Sequence, residues 1–234
     1  MKSIKLEQYI AAQTAFSRRD ILALIVNKKI VCNGHVVTDI SMRIDPKHSH
    51  VMVDGSALIK PPEFYYFKFH KPKNMICTLS DPQNRRCLSQ VIKTLKYPLF
   101  PVGRLDRDTT GLLLLTNDGS FCQSVIHPTN AIKKVYSVTV SSSLDNKTLS
   151  IIRTGFFLDD GPVQFESFVL TDHNQIQLTI IEGRNRIIRR AFEMLGFEVI
   201  HLKRISIGGI SLGKLKMGDV RPLTPKERDL FKSS

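Results

Sequence analysis

The segment Gly103-Arg104-Leu105-Asp106-Arg107-Asp108-Thr109-Thr110-Gly111 brings two carboxylates, two guanidiniums and two hydroxyls together within nine residues. It lies between the β-prone Phe100-Pro101-Val102 and a run of four leucines, Leu112 to Leu115, so a polar loop is expected between two buried strands. Reactive groups concentrate on such loops, because a rigid scaffold fixes what the loop presents. An ionised Asp there can attack an electrophilic carbon or remove a proton. Two carboxylates two residues apart can also flank a glycosidic bond as a pair. Asp106 and Asp108 are equally the residues that a tight polar turn requires. The residue types alone leave these readings side by side.

Other chemistries find less support. Cys32, Cys77, Cys87 and Cys122 have neither the close pairing of zinc ligands nor the density of a disulfide framework, and read as reduced structural thiols. His48 and His50, beside Pro46 and Lys47, read as part of a solvated loop rather than a metal site. With no ligand cluster and no Gly-rich phosphate loop, the chain is expected to need no metal and no organic cofactor.

Charge indicates the partner. The 34 Lys and Arg against 21 Asp and Glu give +13, an excess that draws polyanions by steering and by release of their counterions. Residues 1–60 hold nine basic and five acidic residues and the remainder 25 and 16, so neither part is a detachable basic tail. No apolar run approaches the roughly 20 residues of a membrane span. The N-terminus, MKSIKLEQYI, lacks the unbroken apolar core of a signal peptide. A cytoplasmic protein with no membrane partner is expected, and a monomer suffices.

The elements that must position the loop follow from periodicity. Leu6, Tyr9 and Ile10 predict a helix within residues 5–16, and a second helix opens at Ser17, where Asp20 completes a capping-box pattern. Two short β-prone runs flank Asn33-Gly34, a hairpin signal, and Val51 to Val53 lead into a further turn at Asp54-Gly55. Pro61 and Pro62 then mark a boundary, which divides the chain into a 1–59 module and a 60–234 domain. In the larger part, strand runs such as FYYFKF, KVYSVTV, QFESFVL and QLTII alternate with helical LSQVIKTL, SFCQSVI, LSIIRTG and RIIRRAFEML. Strands that outnumber helices predict an α+β domain around a largely antiparallel, mixed sheet. Thr224-Pro225-Lys226-Glu227 predicts a last helix start.

Two resemblances add to this reading. SRRDILALI, VCNGHVV and VMVDG, in that order, resemble the small RNA-binding domain of ribosomal small-subunit protein four. The resemblance implies that Arg18, Arg19, Lys28 and Lys29 face phosphates, although Lys28 and Lys29 stand where that domain often carries glycine. GRLDRDTTGLLLLTNDG is very similar to the signature of the ribosomal pseudouridine synthases that modify single rRNA uridines. FHKPKNMICT, KKVYSVTV and IEGRNRIIRRAFEMLGFEVIHLKRISIGGI follow that family's order.

Residue by residue, the second resemblance implies Asp106 as the catalytic carboxylate, Tyr136 as the active-site tyrosine, and Arg189 as the basic partner that keeps the carboxylate charged. It implies Arg104 as an RNA contact beside the flipped nucleotide and gives Asp108 no catalytic role. Arg184, Arg186 and Arg190, around Arg189, are candidates for phosphate contacts. Ile187 departs from the Gln or Glu common in relatives, and Asn185-Arg186 is closer to the large-subunit branch than to the small-subunit one. The implied partner is ribosomal RNA. A non-catalytic rRNA assembly factor and a carboxylate-pair hydrolase using Asp106 and Asp108 are the competing readings.

Overall fold

The computed structural model describes residues 3–14, 16–58 and 63–231. The expected boundary, with Pro61 and Pro62, lies outside these described residues.

The first helix, Leu6–Gln13, is shorter than expected and ends where the Thr14 hydroxyl donates to the Ile10 carbonyl at 2.9 Å. The second, Arg18–Val26, begins with the expected capping box: the Ser17 hydroxyl accepts from the Asp20 amide at 3.2 Å and the Asp20 carboxylate accepts from the Ser17 amide at 2.7 Å. Four short strands follow, in the order His35–Val36, Ile30–Cys32, Val51–Val53 and Ser56–Leu58. Two of their connections are two-residue turns. Asn33 and Gly34 have φ of 51° and 82°, and Asp54 and Gly55 have 47° and 79°, the positive pairs that match the twist of a hairpin. Leu6, Tyr9, Ile10, Ile21, Ile30 and Val51 close a small core to which, among the described residues, none beyond Leu58 contributes.

The larger part is built on a nine-stranded sheet. Its main path runs Ser167–Asp172, Gln175–Ile180, Lys134–Val140, Val199–Ile207, Thr110–Thr116, Tyr66–Lys71 and Val220–Pro222. Phe100–Val102 pairs with the end of Thr110–Thr116, and Ile210–Ser211 with the end of Val199–Ile207. Among the described residues every pairing in this sheet is antiparallel except one. Val199–Ile207 meets Thr110–Thr116 in parallel through Lys203↔Thr110 and Arg204↔Gly111. The mixed, largely antiparallel α+β architecture is the one predicted.

The four-leucine run explains why Thr110–Thr116 is central. Leu113 and Leu115 point to one face, where Phe67, Phe69, Val138, Leu178 and the helices Leu88–Leu95, Asn146–Thr154 and Ile187–Met194 cover them. Leu112 and Leu114 point to the other, against Val102, Ile207 and the helix Gly119–Ile126. A strand buried on both faces reads as a continuous apolar run. The edge strand starts at Ser167, later than the β-prone sequence from Gln164, because Phe165 turns into the core before pairing begins. No helix among the described residues is long and apolar enough to cross a membrane.

Candidate active site

The loop at 103–109 is the long connection of a hairpin, with Val102 opposite Leu114 across its base. Gly103, at φ 75°, turns the chain out of the first strand, and Leu105, 6% exposed, plugs the loop into the core. The Thr109 amide donates to the Asp106 carbonyl at 3.1 Å. From beneath, the segment after Tyr66–Lys71 holds the loop: the Asn74 amide donates to the Arg107 carbonyl at 2.8 Å, the Lys71 amine to the same carbonyl at 3.3 Å, and the Leu105 amide to the Cys77 sulfur at 3.4 Å. Asp106 is therefore fixed by its backbone. Its half-buried carboxylate makes no side-chain hydrogen bond to a described residue, so it is left unengaged for chemistry.

Cations surround it. Lys71 is fully buried and donates to the Pro72 carbonyl at 3.0 Å. Burial lowers its amine to about 8, against the pull of Cys77, Asp106 and Asp108 towards the charged form. Burial likewise pushes the Cys77 thiol up, so it stays a neutral acceptor beneath the loop. Arg189 donates to the carbonyls of Val199 at 2.9 Å and Asp108 at 3.2 Å. Desolvation, and then Arg186, lower its affinity for its proton, while the fields of Asp108 and Asp106 oppose that shift. The resemblance implies Arg189 as the basic partner of the aspartate: its guanidinium lies within the field of Asp106 and braces the backbone of the loop, and among the described residues it forms no ion pair with that carboxylate.

Tyr136, 9% exposed, lies on the strand Lys134–Val140, next to Val199–Ile207 in the sheet. Its hydroxyl accepts from the Arg204 guanidinium at 3.4 Å. Arg204 also donates to the Leu112 carbonyl at 2.8 Å and is only 5% exposed. Lys71 and Arg204 were not singled out from the sequence, Cys77 was read there only as a structural thiol, and Gly111 only as the end of the polar segment. The sequence does not mark the two cations: Lys71 stands among Lys68, His70 and Lys73, and Arg204 beside His201 and Lys203, so nothing local separates the buried cation from its neighbours.

The basic residues expected to meet RNA divide into several groups. Arg104 is exposed on the 103–109 loop. Arg18 and Arg19 line a cleft of about 970 Å³ together with Lys93, Lys96 and Tyr97, and Arg18 also pairs with Glu7 at 3.5 Å. Lys28 adopts φ 57°, which explains why a glycine is common in that turn, and Lys29 pairs with Asp54 at 3.1 Å. Arg186 is exposed at the left-handed start of the helix Ile187–Met194. Arg184 and Arg190 are engaged within the chain, bonded to Asp160 at 2.9 and 2.7 Å. Arg184 also pairs with Glu182. Through Asp160, Arg190 ties the Phe156–Val163 hairpin to the helix, and both candidates for phosphate contacts have acidic partners within the chain.

Comparison with known proteins agrees with this arrangement. The model of the RNA pseudouridylate synthase family matches residues 65–194, which include the whole 103–109 loop, Tyr136 and Arg189. The chain is 38% identical over 233 residues to an uncharacterised RNA pseudouridine synthase of Mycobacterium tuberculosis (strain ATCC 25618 / H37Rv), covering 97% of this chain and 92% of that one. It is 37% identical over 229 residues to ribosomal large subunit pseudouridine synthase B of Bacillus subtilis (strain 168), covering 95% and 93%. A crystal structure of a pseudouridylate synthase superposes with a TM-score of 0.69 at 29% identity, over 98% of this chain and all of that one. A half-buried, unengaged aspartate on a braced loop, inside a match of this length, has one family reading: the chain belongs to the RNA pseudouridylate synthases, isomerases that act on RNA.

Proposed function

We propose that this pseudouridine synthase modifies uridine in ribosomal RNA, of the large subunit in preference to the small, with Asp106 as its catalytic carboxylate. The observation that carries the assignment of Asp106 is its unengaged side chain on a loop whose backbone is fixed on both sides. The large-subunit preference is supported by the name of the Bacillus subtilis relative and by Asn185-Arg186.

Forming pseudouridine breaks the glycosidic bond, turns the uracil while it is trapped, and joins its carbon five to the ribose. Asp106 attacks the ribose or removes its 2′ proton, and either role requires an ionised carboxylate. Lys71 and Arg189 place positive charge beside the loop, where the field of Asp106 reaches both. Tyr136 supplies a ring against which the uracil stacks and a hydroxyl at its edge. Buried Leu105 and Thr109 on either side of Asp106 keep water from the detached sugar, which water would otherwise hydrolyse. A uridine inside folded RNA exposes neither face of its ribose, so the nucleotide is flipped out and its neighbours are held by phosphate contacts.

Arg104 and Arg186 are the phosphate contacts nearest the chemistry. Residues 1–59 form a separate RNA-binding module, which adds Arg18, Arg19, Lys28 and Lys29; its own core and separate sheet support that division. Chemical mapping of pseudouridines across both rRNAs, from cells with and without the protein, tests the assignment. Loss of a large-subunit site is expected. An unchanged map of both rRNAs would contradict it.

A further inference from the structure

One row of residues crosses four strands of the sheet in register: Lys71↔Gly111, Gly111↔Arg204 and Arg204↔Tyr136. Gly111 puts no side chain between the two cations, and a Cβ there would overlap the backbone of Arg204. Arg204 is 5% exposed, and among the described residues it has no carboxylate within ion-pair distance. Its Nε bonds to the Leu112 carbonyl and its Nη1 to the Tyr136 hydroxyl, while Nη2 is buried without a partner among those residues. Its guanidinium carbon lies 6.0 Å from the centroid of the Tyr136 ring. A buried guanidinium without a counter-charge is costly, and an apolar side chain would fill the same core more favourably. What the cation does for Tyr136 accounts for its presence.

We propose that Arg204 is a positioning residue for the isomerisation, acting through Tyr136 on the uracil as it leaves the ribose. This inference rests on the function proposed above. Arginine can only donate, so the phenolic oxygen of Tyr136 must accept from it and the phenol's own proton is turned away from Arg204, towards the site. When the C1′–N1 bond breaks, its electron pair passes to the uracil ring and spreads onto the two carbonyl oxygens, while Asp106 meets the electron demand of the sugar. If Asp106 attacks the sugar no proton moves in this step, and if it acts as base it takes the 2′ proton as the bond breaks. The Tyr136 O–H donates to the base and strengthens as negative charge builds there, and Arg204, polarising the same hydroxyl, reinforces that bond. The pair returns to the sugar when carbon five bonds to C1′, Asp106 is released as the carboxylate or returns the 2′ proton, and loss of the proton on carbon five with uptake of one at N1 completes pseudouridine.

The test uses the full chain and an rRNA fragment that the wild type converts. Single-turnover rate, RNA affinity and thermal unfolding are measured for Arg204→Met, Arg204→Lys, Tyr136→Phe and Arg204→Met/Tyr136→Phe. Arg204→Met is expected to slow conversion by about 10–100-fold at unchanged RNA affinity, as for removal of a hydrogen bond to a charged group. Arg204→Lys should recover part of the loss. In the Tyr136→Phe background, Arg204→Met should cost less than about threefold, because the hydroxyl it acts through is gone.

With 5-fluorouridine at the target, whose fluorine stabilises the departing anion, the cleavage defects of Arg204→Met and Arg204→Lys should both shrink. Equal defects in both tyrosine backgrounds, or defects that fluorine leaves unchanged in both Arg204 variants, would overturn the inference while the isomerase assignment stands. Should Arg204→Met not fold, the fluorouridine comparison between wild type and Arg204→Lys decides alone. Wild-type protein that forms no pseudouridine in rRNA would instead remove the function on which the inference rests.

Discussion

Lys71 is a fully buried amine beneath the catalytic loop, and its proton affinity sets a pH signature that surface lysines lack. Its folded-state value is about 8 against 10.5 for the free side chain, with burial the leading cause. Between those two values the unfolded chain binds the extra proton, so this residue makes stability rise with pH there, and its cost is fully present below about 8. Replacing Lys71 by Met removes the titration. Wild type should therefore gain stability relative to Lys71→Met from pH 8 to 10.5, read as the difference in thermal midpoints; a flat difference would mean the amine is solvated. The chemistry at this scale was partly legible in the sequence. Asp106 stands in a polar loop between apolar runs, and that contrast is local. Lys71 and Arg204 become neighbours of the site only through register between strands up to 133 residues apart, which no local pattern carries.

Gly111 decides the geometry of the one parallel pairing in the described sheet. Its φ of 108° is a conformation that side chains rarely adopt, and a Cβ would collide with the carbonyl and amide of Arg204. Gly111→Ala should cost more than the roughly 1–3 kcal/mol of a strained backbone position, because the Thr110–Thr116 and Val199–Ile207 strands must also separate. Denaturant unfolding measures the cost, and activity should fall with it because Arg204 and the end of the loop move together. A variant as stable as wild type would mean the strands are not held this closely. The capping box at Ser17, the helix start at Thr224 and the turns at Asn33-Gly34 and Asp54-Gly55 formed where the sequence predicts them. Each depends on residues within a few positions of one another. The order of the nine strands was not legible, since the parallel pairing of 110–116 with 199–207 depends on packing of the whole domain.

Across the whole molecule, the basic excess is spread over both parts of the chain, and the N-terminal core shares no member with the two cores on the faces of the large sheet. The side chain of Asn117 ties the two parts, donating to the carbonyls of Ala12 at 3.0 Å and Glu63 at 2.8 Å. If the N-terminal module meets phosphates, replacing Arg18, Arg19, Lys28 and Lys29 together by Gln should flatten the salt dependence of RNA binding. Every phosphate that is no longer neutralised lowers the slope of log affinity against log salt by about 0.7–0.9. Conversion at saturating RNA should persist, and an unchanged slope would remove these residues from the interface. The central claim is that one carboxylate makes this basic molecule an isomerase, and Asp106→Asn tests it with Asp108→Asn as the matched control. The substitution is nearly isosteric and lies on a loop, so folding and RNA affinity should be retained. The decisive measurement is single-turnover conversion of uridine in an rRNA fragment, with RNA binding and unfolding recorded beside it. The account predicts no conversion by folded, RNA-bound Asp106→Asn and substantial conversion by Asp108→Asn; conversion by Asp106→Asn at the wild-type rate would contradict it.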